Sequence, residues 1–369
     1  RSVLLNQLYE RFFKNAFPKT TDKLGVVYTP IEIVDFINHS VEEVLKNEFG
    51  KSLNNENIHI LDPFAGTGTF IVRLIESGIL KKDKLLKKYL SELHSNEIIL
   101  LAYYIACINI ESAFHESVKP NSYTQFNGAV LTDTFQLYEQ ERDLIADLLP
   151  DNSQKRTKQK KRDIRVIVGN PPYSAGQESA HDDAKNLTYP NLDEKIKNTY
   201  VKNSTAVNRS DLYDSYIRSF RWATDRLGEE GVIGFVTNAG WVDGNASDGL
   251  RKVLRDEFYK IYIFHLKGNA RTAGELRKKE AGNVFGHGSR SPIAITILVK
   301  KNSSKKNKQG NIFFYEIGDY LKKDEKLKII KQFNNIYNIE KLSKFSKIQP
   351  DENNDWINKS NPEFKKYYS

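Results

Sequence analysis

Apolar residues along this chain fall into short unbroken runs, separated by longer stretches where they recur at three- and four-residue steps. The runs predict strands near 58–62, 128–132, 164–169, 231–237, 259–265 and 292–299, and the alternation of strands with helices adds one near 93–97. A strand covered on both faces shows no alternation, so unbroken runs suit a buried sheet. The stepped stretches predict helices near 4–17, 30–48, 68–77, 80–91, 98–114, 211–227 and 247–257. The helix at 211–227 is the best defined. Leu212, Tyr213, Tyr216, Ile217, Phe220, Ala223 and Leu227 form its stripe, which reads as core. Ser210 stands at its cap, Asp211 and Asp214 in its first turn, and Gly228 past its end. Thr29-Pro30 supplies a cap and first-turn pair for the helix at 30–48. Strands alternating with helices imply an α/β fold, a mostly parallel seven-stranded sheet with helices on both faces. The run Asn311-Ile312-Phe313-Phe314-Tyr315 reads as a further edge strand, and no internal repeat is visible.

The strand at 164–169 runs into Asn170-Pro171-Pro172-Tyr173. Each proline fixes its own φ and pushes the preceding residue toward extended geometry, so the segment is stiff. It carries an amide oxygen and the Asn170 and Pro171 carbonyls as acceptors, beside a flat aromatic face. That set suits a planar heterocycle bearing an NH2 group. Such an amine is a poor nucleophile because its lone pair is delocalised into the ring. Two acceptors on its hydrogens favour a pyramidal nitrogen and localise the pair. Tyr173 would stack on the ring, an interaction worth roughly 1–3 kcal/mol per base. The plainer interpretation is a strand-ending turn, for which Asn and Pro are common residues.

A second segment weighs against the turn. Ile58-His59-Ile60-Leu61-Asp62-Pro63-Phe64-Ala65-Gly66-Thr67-Gly68-Thr69-Phe70-Ile71 reads as strand, glycine loop and helix. Gly66 and Gly68 permit a tight turn and close approach of a ligand to the backbone. The loop lacks the Lys-Ser/Thr ending of a phosphate-binding loop and is not a full G-x-G-x-x-G. A nucleotide-like ligand without phosphates fits it better, and S-adenosylmethionine is one.

With Asp-Pro-Phe-Ala before the glycines and Asn-Pro-Pro-Tyr downstream, the chain resembles amino-methyltransferases acting on DNA adenine. Its motif order resembles their γ group, in which the segment touching the methionine end of the cofactor precedes the glycine loop. Here that segment is Gly25 to Val34, with Tyr28, Thr29 and Pro30 at its centre. The stretches Tyr9-Glu10-Arg11-Phe12-Phe13 and Gly234 to Trp241 are similar to the methyltransferase region of single-polypeptide, type ISP, restriction–modification enzymes. The likeness covers most of residues 1–320. It implies a Rossmann-like S-adenosylmethionine-dependent methyltransferase fold. It further implies that Asp62, Pro63, Ala65, Gly66, Thr67 and Gly68 wrap the cofactor. Glu97 would hold its ribose hydroxyls, Asp133 would accept from its adenine amine, and Phe135 would pack beside that ring. Glu97 lies 35 residues after Asp62, further than the spacing of about 20 usual for such an acid. An inserted basic helix, Lys81 to Leu90, accounts for the gap and leaves Glu92 as a rival. Asn170, Pro171, Pro172 and Tyr173 would be the catalytic tetrad, with Phe285 as a second aromatic wall for the target base. The resemblance also implies a catalytic domain over 25–318, a helical connector over 1–24, and over 319–369 a connector toward a target-recognition region. Further domains of the same polypeptide, helicase and nuclease among them, would be its partners together with double-stranded DNA.

Charge agrees with a polyanionic partner. The chain of 369 residues carries a net charge of +9. Lys158, Lys160, Lys161 and Arg162 crowd before the strand that delivers Asn170 and are phosphate candidates, or else a solvated loop. A second run, Lys300 to Lys308, follows the last strong strand and reads as solvated. The single Cys107 excludes a disulfide framework, and the seven histidines show no metal-ligand spacing. No apolar run reaches spanning length and no signal sequence opens the chain, so a cytoplasmic location is expected. The lack of methionine and the start at Arg1 read as part of a longer polypeptide. The long polar segment 174–209 reads as a mobile loop closing on a flipped nucleotide, or as disorder. Two other activities remain open on these residues. One is methyl transfer to RNA or to a protein glutamine, whose amide has the same lone-pair problem. The other is a catalytically silent DNA-binding subunit, whose mark would be a broken motif.

Overall fold

The computed structural model describes residues 28–139, 150–173, 189–286, 289–301 and 309–357. Its centre is one sheet of nine strands in the order β3-β2-β1-β4-β5-β7-β6-β8-β9. They are β1 His59–Asp62, β2 Leu93–Glu97, β3 Ala129–Leu131, β4 Ile164–Gly169, β5 Gly231–Asn238, β6 Lys260–His265, β7 Ile293–Lys300, β8 Asn311–Glu316 and β9 Ser346–Ile348. The seven expected strands are all present. The expected count of seven is corrected to nine, because β8 pairs in parallel with β6 and β9 closes on β8 antiparallel. β9 has only three residues, none of them buried, so no apolar run announced it.

β1, β2, β3, β4 and β5 all run the same way, and β7 is inserted antiparallel between β5 and β6. The carboxyl ends of β1 to β6 therefore share one rim. β7 starts on that rim. In open α/β sheets ligands bind beyond the carboxyl ends.

Each face carries its own apolar core. The helix Ile31–Phe49, with Thr69–Glu76 and Leu100–Val118, buries Ile33, Ile37, Phe70, Ile71 and Phe114 on one side. The other side is covered by Ser215–Arg226 and Asp248–Glu257, through Ile217, Phe220, Leu250 and Leu254.

Four local differences from expectation have physical reasons. The stripe at 211–227 is buried, but the helix breaks at Asp214, whose φ of −60° and ψ of 146° are extended. A short turn, Ser210–Tyr213, precedes it, and the Asp214 carbonyl takes the first N–H groups from Ile217 and Arg218 at 2.9 Å. The basic stretch is a helix, Pro150–Lys160, whose buried face is polar, Asn152 and Gln159, so apolar periodicity missed it. Within 174–209, the described part holds a helix from Pro190–Ile196 that continues as Lys197–Val201. It buries Leu192, Ile196 and Tyr200, four residues apart, a period that was present in the sequence. Residues 323–356, set apart as a connector, lie against the main body. The helices Lys323–Phe333 and Ile336–Lys341 add Ile330 and Ile339 to the first core, and Trp356 meets Trp241 with ring centroids 5.6 Å apart. The expected helix at 4–17, residues 174–188 and most of the Lys300–Lys308 run lie outside the described residues.

The C-terminal segment is held by a buried cation. Arg251 is fully buried and donates to the carbonyls of Gly244 at 2.7 Å and Asn354 at 2.8 Å, and to Asp355 at 2.8 Å. Removing one partner of a buried pair strands the other charge, which typically costs about 3–5 kcal/mol. Arg251→Ala is therefore expected to lower unfolding free energy by about that amount in urea titrations. A loss below about 1 kcal/mol would mean that residues 351–356 are not integral to the fold.

Candidate active site

The loop after β1 is held in shape by its own backbone and by two buried acids. Asp62 is fully buried, and its Oδ1 accepts from the Phe64 N–H at 3.0 Å. Its Oδ2 has no hydrogen-bond partner among the described residues. The Ala65 N–H donates to the Asn96 carbonyl at 2.9 Å, which ties the loop to β2. Gly66 and Gly68 have φ of 54° and 84°, values that a side chain disfavours. A Cβ on Gly66 would meet nothing within 4 Å, so the space before it is open. Asn109 donates to the Thr67 carbonyl at 3.0 Å, and the Thr134 hydroxyl donates to the Pro63 carbonyl at 2.5 Å.

Glu97 ends β2 and accepts from the Gly66 N–H at 2.8 Å and the Ile99 N–H at 2.7 Å. Burial pushes Glu97 up to about 7, against the pull of those N–H donors. Burial likewise pushes Asp62 up to about 8, with the Glu97 charge adding to it and the Phe64 N–H opposing. Glu92, the rival acid, precedes β2 and sits at its far end, paired with the buried Lys88 and accepting from Asn57 N–H at 2.9 Å. That location removes it from this rim.

Asp133 follows β3. Its Oδ1 accepts from the Phe135 N–H at 2.9 Å, and its Oδ2 from the Tyr189 hydroxyl at 2.7 Å. Phe135 is buried, tilted against Phe64 at 5.6 Å and edge-on to Tyr189 at 5.3 Å. Tyr189 was not foreseen. It lies within the long polar segment 174–209, and no spacing tied it to Asp133, 56 residues earlier. Arg218 lies 5.5 Å from its ring and pairs bidentately with Asp193 at 2.8 and 3.0 Å. Ile98 is also new, 46 % exposed beside the buried Glu97.

Asn170 stands where β4 ends. Its Nδ2 donates to Thr29 Oγ1 at 3.0 Å across 141 residues of sequence. The expected cap role of Thr29 is thereby corrected. Pro30 occupies the cap position of Ile31–Phe49 with no side-chain cap bond, and the buried Thr29 hydroxyl serves Asn170 instead. Tyr28 is half-buried beside it. The Asn170 nitrogen faces Thr29, so its oxygen is the side of the amide turned elsewhere. Gly169 matters by close approach, since a Cβ there would lie 3.0 Å from Asp62 Oδ1. Pro171 is buried and Pro172 half-buried. Tyr173 is half-buried. Its hydroxyl donates to the Val236 carbonyl at 3.1 Å, and its ring meets Phe285 edge-on at 6.0 Å. Asn283 holds that second aromatic, accepting from the Phe285 N–H at 2.9 Å and donating to Gly268 and Ser291 carbonyls at 3.1 and 2.8 Å.

Asp62, Glu97, Asp133 and Asn170 thus share one rim, with the Tyr173–Phe285 pair at the β4–β5 end. Lys158, Lys160, Lys161 and Arg162 do not join them. They are exposed and precede β4, whereas Asn170 follows it. Along residues 59–72 there is no Lys or Arg. The open loop, with its two buried carboxyl groups as acceptors, can take a ligand rich in hydroxyl and amine donors. Among the described residues no group of His, Cys, Asp and Glu is placed to hold a metal ion, and no helix is long and apolar enough to cross a membrane.

The sheet order and rim define the Rossmann-like class of methyltransferases seen in restriction–modification enzymes. The model of the Eco57I restriction-modification methylase family matches residues 81–271, more than half of the chain, and the chain belongs to that family. It is 46 % identical, with a TM-score of 0.88, to a nuclease-deletion mutant of the Type ISP restriction-modification enzyme LlaGI in complex with a DNA substrate mimic, covering 98 % of this chain and 29 % of that one. The ATP-dependent Type ISP enzyme LlaBIII, bound to DNA, is 44 % identical with a TM-score of 0.90, over 99 % of this chain and 24 % of its own. Type II methyltransferase M.BstVI of Geobacillus stearothermophilus is 25 % identical over 251 residues, 66 % of this chain and 38 % of that protein. The chain therefore spans about a quarter to two-fifths of these relatives' lengths.

The two raised carboxyl groups carry a stability consequence. An acid whose folded pKa lies above its unfolded value stabilises the fold below the unfolded pKa, and that stability is lost as pH rises through the folded pKa. For Glu97 the window runs from its ordinary 4.5 to about 7, and for Asp62 from 3.8 to about 8. Asp62→Asn and Glu97→Gln stay neutral throughout. The Tm gap, variant minus wild type, is expected to widen by about 3 °C or more between pH 5 and pH 8 in ligand-free protein. The buried His59 and His94, both lowered by burial, act in the opposite direction and cancel in that difference. A gap that stays flat with pH would mean both acids are ionised without cost.

Proposed function

We propose that the chain transfers a methyl group from S-adenosylmethionine to the N6 amine of an adenine turned out of duplex DNA. It would do so as the modification part of a restriction–modification polypeptide. The observation that carries this is the meeting of two arrangements on one rim. One is an Asn-Pro-Pro-Tyr turn whose amide is oriented by Thr29. The other is a glycine loop lined by two costly buried acids, with no Lys or Arg along residues 59–72.

The residues present fit the cofactor. Asp62 and Glu97 are carboxylates that burial makes hungry for donors, and amine and ribose hydroxyl groups are donors. Gly66 leaves room for close approach. Phe64, Phe135 and Ile98 offer apolar walls for a purine, and Asp133 offers an acceptor at their edge. Tyr28, Thr29 and Pro30 lie at the β4 end of the same rim. When bound, S-adenosylmethionine supplies a methyl group on a positively charged sulfur.

The chain's own residues would act on the amine. The Asn170 oxygen and the Pro171 carbonyl accept its two hydrogens and localise its lone pair. Two prolines keep these acceptors from relaxing away. Tyr173 and Phe285 give the ring faces and edges to pack against, and the Tyr173 hydroxyl fixes its own ring through Val236. The reacting base must leave its stack to bring its amine to these acceptors.

Isolated chain is expected to bind S-adenosylmethionine in calorimetry, and Glu97→Ala to weaken binding by about 1.5–3 kcal/mol. Asn170→Ala should abolish methyl transfer while cofactor affinity holds. Tyr173→Phe keeps the ring and loses one neutral hydrogen bond, worth about 1 kcal/mol, so it should retain much of the activity that Tyr173→Ala loses. Sequencing DNA from a host expressing the full-length gene, with modified-base detection, tests the adenine-N6 product directly. Methyl incorporation into RNA or protein but not into DNA would overturn the reading, and an intact fold without cofactor binding would overturn catalysis altogether.

A further inference from the structure

The basic residues best placed to meet a polyanion at the candidate site are not those that crowd the sequence before β4. Lys158 to Arg162 sit at the amino end of that strand and Asn170 at its carboxyl end, so the six residues of β4 separate them by roughly 20 Å. The connection between β6 and β7 is on the Asn170 side. β4, β5 and β6 share a direction and β7 opposes them. The connection also touches the site, through Phe285 against Tyr173 at 6.0 Å and the Ala239 N–H donating to the Pro292 carbonyl at 2.8 Å.

Residues 267–286 and 289–290 carry six Lys and Arg against two Glu, a surplus of four in a chain whose net charge is +9. Lys267 is spent internally, paired with Glu316 and Asp319. Arg271, Arg277, Lys278 and Arg290 are exposed, and Lys279 is half-exposed. Lys278 lies 3.6 Å from Glu275, but both are largely in solvent, where such a pair holds little energy.

The backbone beneath these cations is tied down. The Asn269 N–H donates to Glu280 at 2.8 Å, and the Ala270 N–H to the Arg290 carbonyl at 2.8 Å. The Tyr320 N–H donates to the Lys279 carbonyl at 3.0 Å. The buried Lys326 ammonium caps the end of the helix Gly274–Glu280, donating to the Glu280 and Gly282 carbonyls at 2.9 and 2.8 Å. A cationic face on a fixed backbone pays little ordering entropy when it binds.

We propose that the β6–β7 connection is a docking face for the phosphate backbone of duplex DNA, set beside the Tyr173–Phe285 pair. This rests on the reading of the chain as a DNA methyltransferase. Phosphate contacts fix register and orientation without carrying sequence information. The face would hold the duplex beside the pocket while another part of the polypeptide reads bases.

The test is a set of binding isotherms for the full chain on a short fluorescent duplex at several salt concentrations. Each neutralised phosphate contributes about 0.9 to the slope of log K against log salt. Joint replacement Arg271→Ser, Lys278→Ser and Lys279→Ser is expected to reduce the slope by about 2–3, with S-adenosylmethionine affinity unchanged as proof of fold. Joint replacement Lys158→Ser, Lys160→Ser and Lys161→Ser is expected to leave it as in wild type. An unchanged slope in the first variant, or an equal reduction in the second, would overturn the docking face while leaving the methyltransferase reading standing. Wild-type chain that binds the cofactor yet shows no salt-dependent DNA binding would instead overturn the DNA reading beneath it.

Discussion

The parallel pairing of β1 with β4 is the constraint on which the rest of the site depends. It sets the end of β1 beside the end of β4, so that Asp62 and Asn170 emerge side by side from strands more than a hundred residues apart in sequence. The fit is close enough that a Cβ on Gly169 would lie 3.0 Å from Asp62 Oδ1, which would have to give way by a few tenths of an ångström. A one-residue slip would turn each strand's side chains to the opposite face. Register is therefore guarded by the two apolar cores, which demand that Ile60, Leu61, Ile167 and Val168 each face their own side.

That geometry is costly. Two carboxyl groups, at the ends of β1 and β2, are buried beside one loop, and both are pushed well above their ordinary range. A chain selected only for stability would place apolar or neutral residues there. Stability is instead drawn from elements remote from the rim. The sheet extends to β8 and β9, and residues 323–356 are clamped on by Arg251 and by Trp356 against Trp241. The glycine loop and its buried acids sit on this broad, well-packed base.

Long-range polar contacts then finish the site. Thr29 reaches Asn170, Tyr189 reaches Asp133, and Asn283 positions Phe285. The first two are each a single hydrogen bond between segments that the sheet has already brought together, while Asn283 accepts from the Phe285 N–H two residues on and is itself tied to the Gly268 and Ser291 carbonyls. None could hold the site without the fold beneath it, since one neutral bond contributes only about 1 kcal/mol.

Sequence alone determined the element types and the chemistry. Apolar runs located six of the seven expected strands because burial on both faces demands them, whereas Leu93–Glu97 is polar after its first residue and was placed by the alternation of elements. Gly66, Gly68 and Asn170-Pro171-Pro172-Tyr173 were legible because their backbone requirements are local and few residues meet them. Sequence could not show what depends on contacts between distant segments. The helix Pro150–Lys160 buries amides, the turn at Asp214 is set by the packing around it, and β9 exists only by pairing with β8. Only the tertiary structure decided that Thr29 serves Asn170 rather than its own helix. It also decided that Glu97 and not Glu92 lies on the rim, and that Lys158 to Arg162 lie on the far side. The physical reason is common to all three. A residue's partner is whatever the sheet's strand order places within 3 Å of it, and strand order is settled by the burial of whole faces, a property no short window of sequence contains.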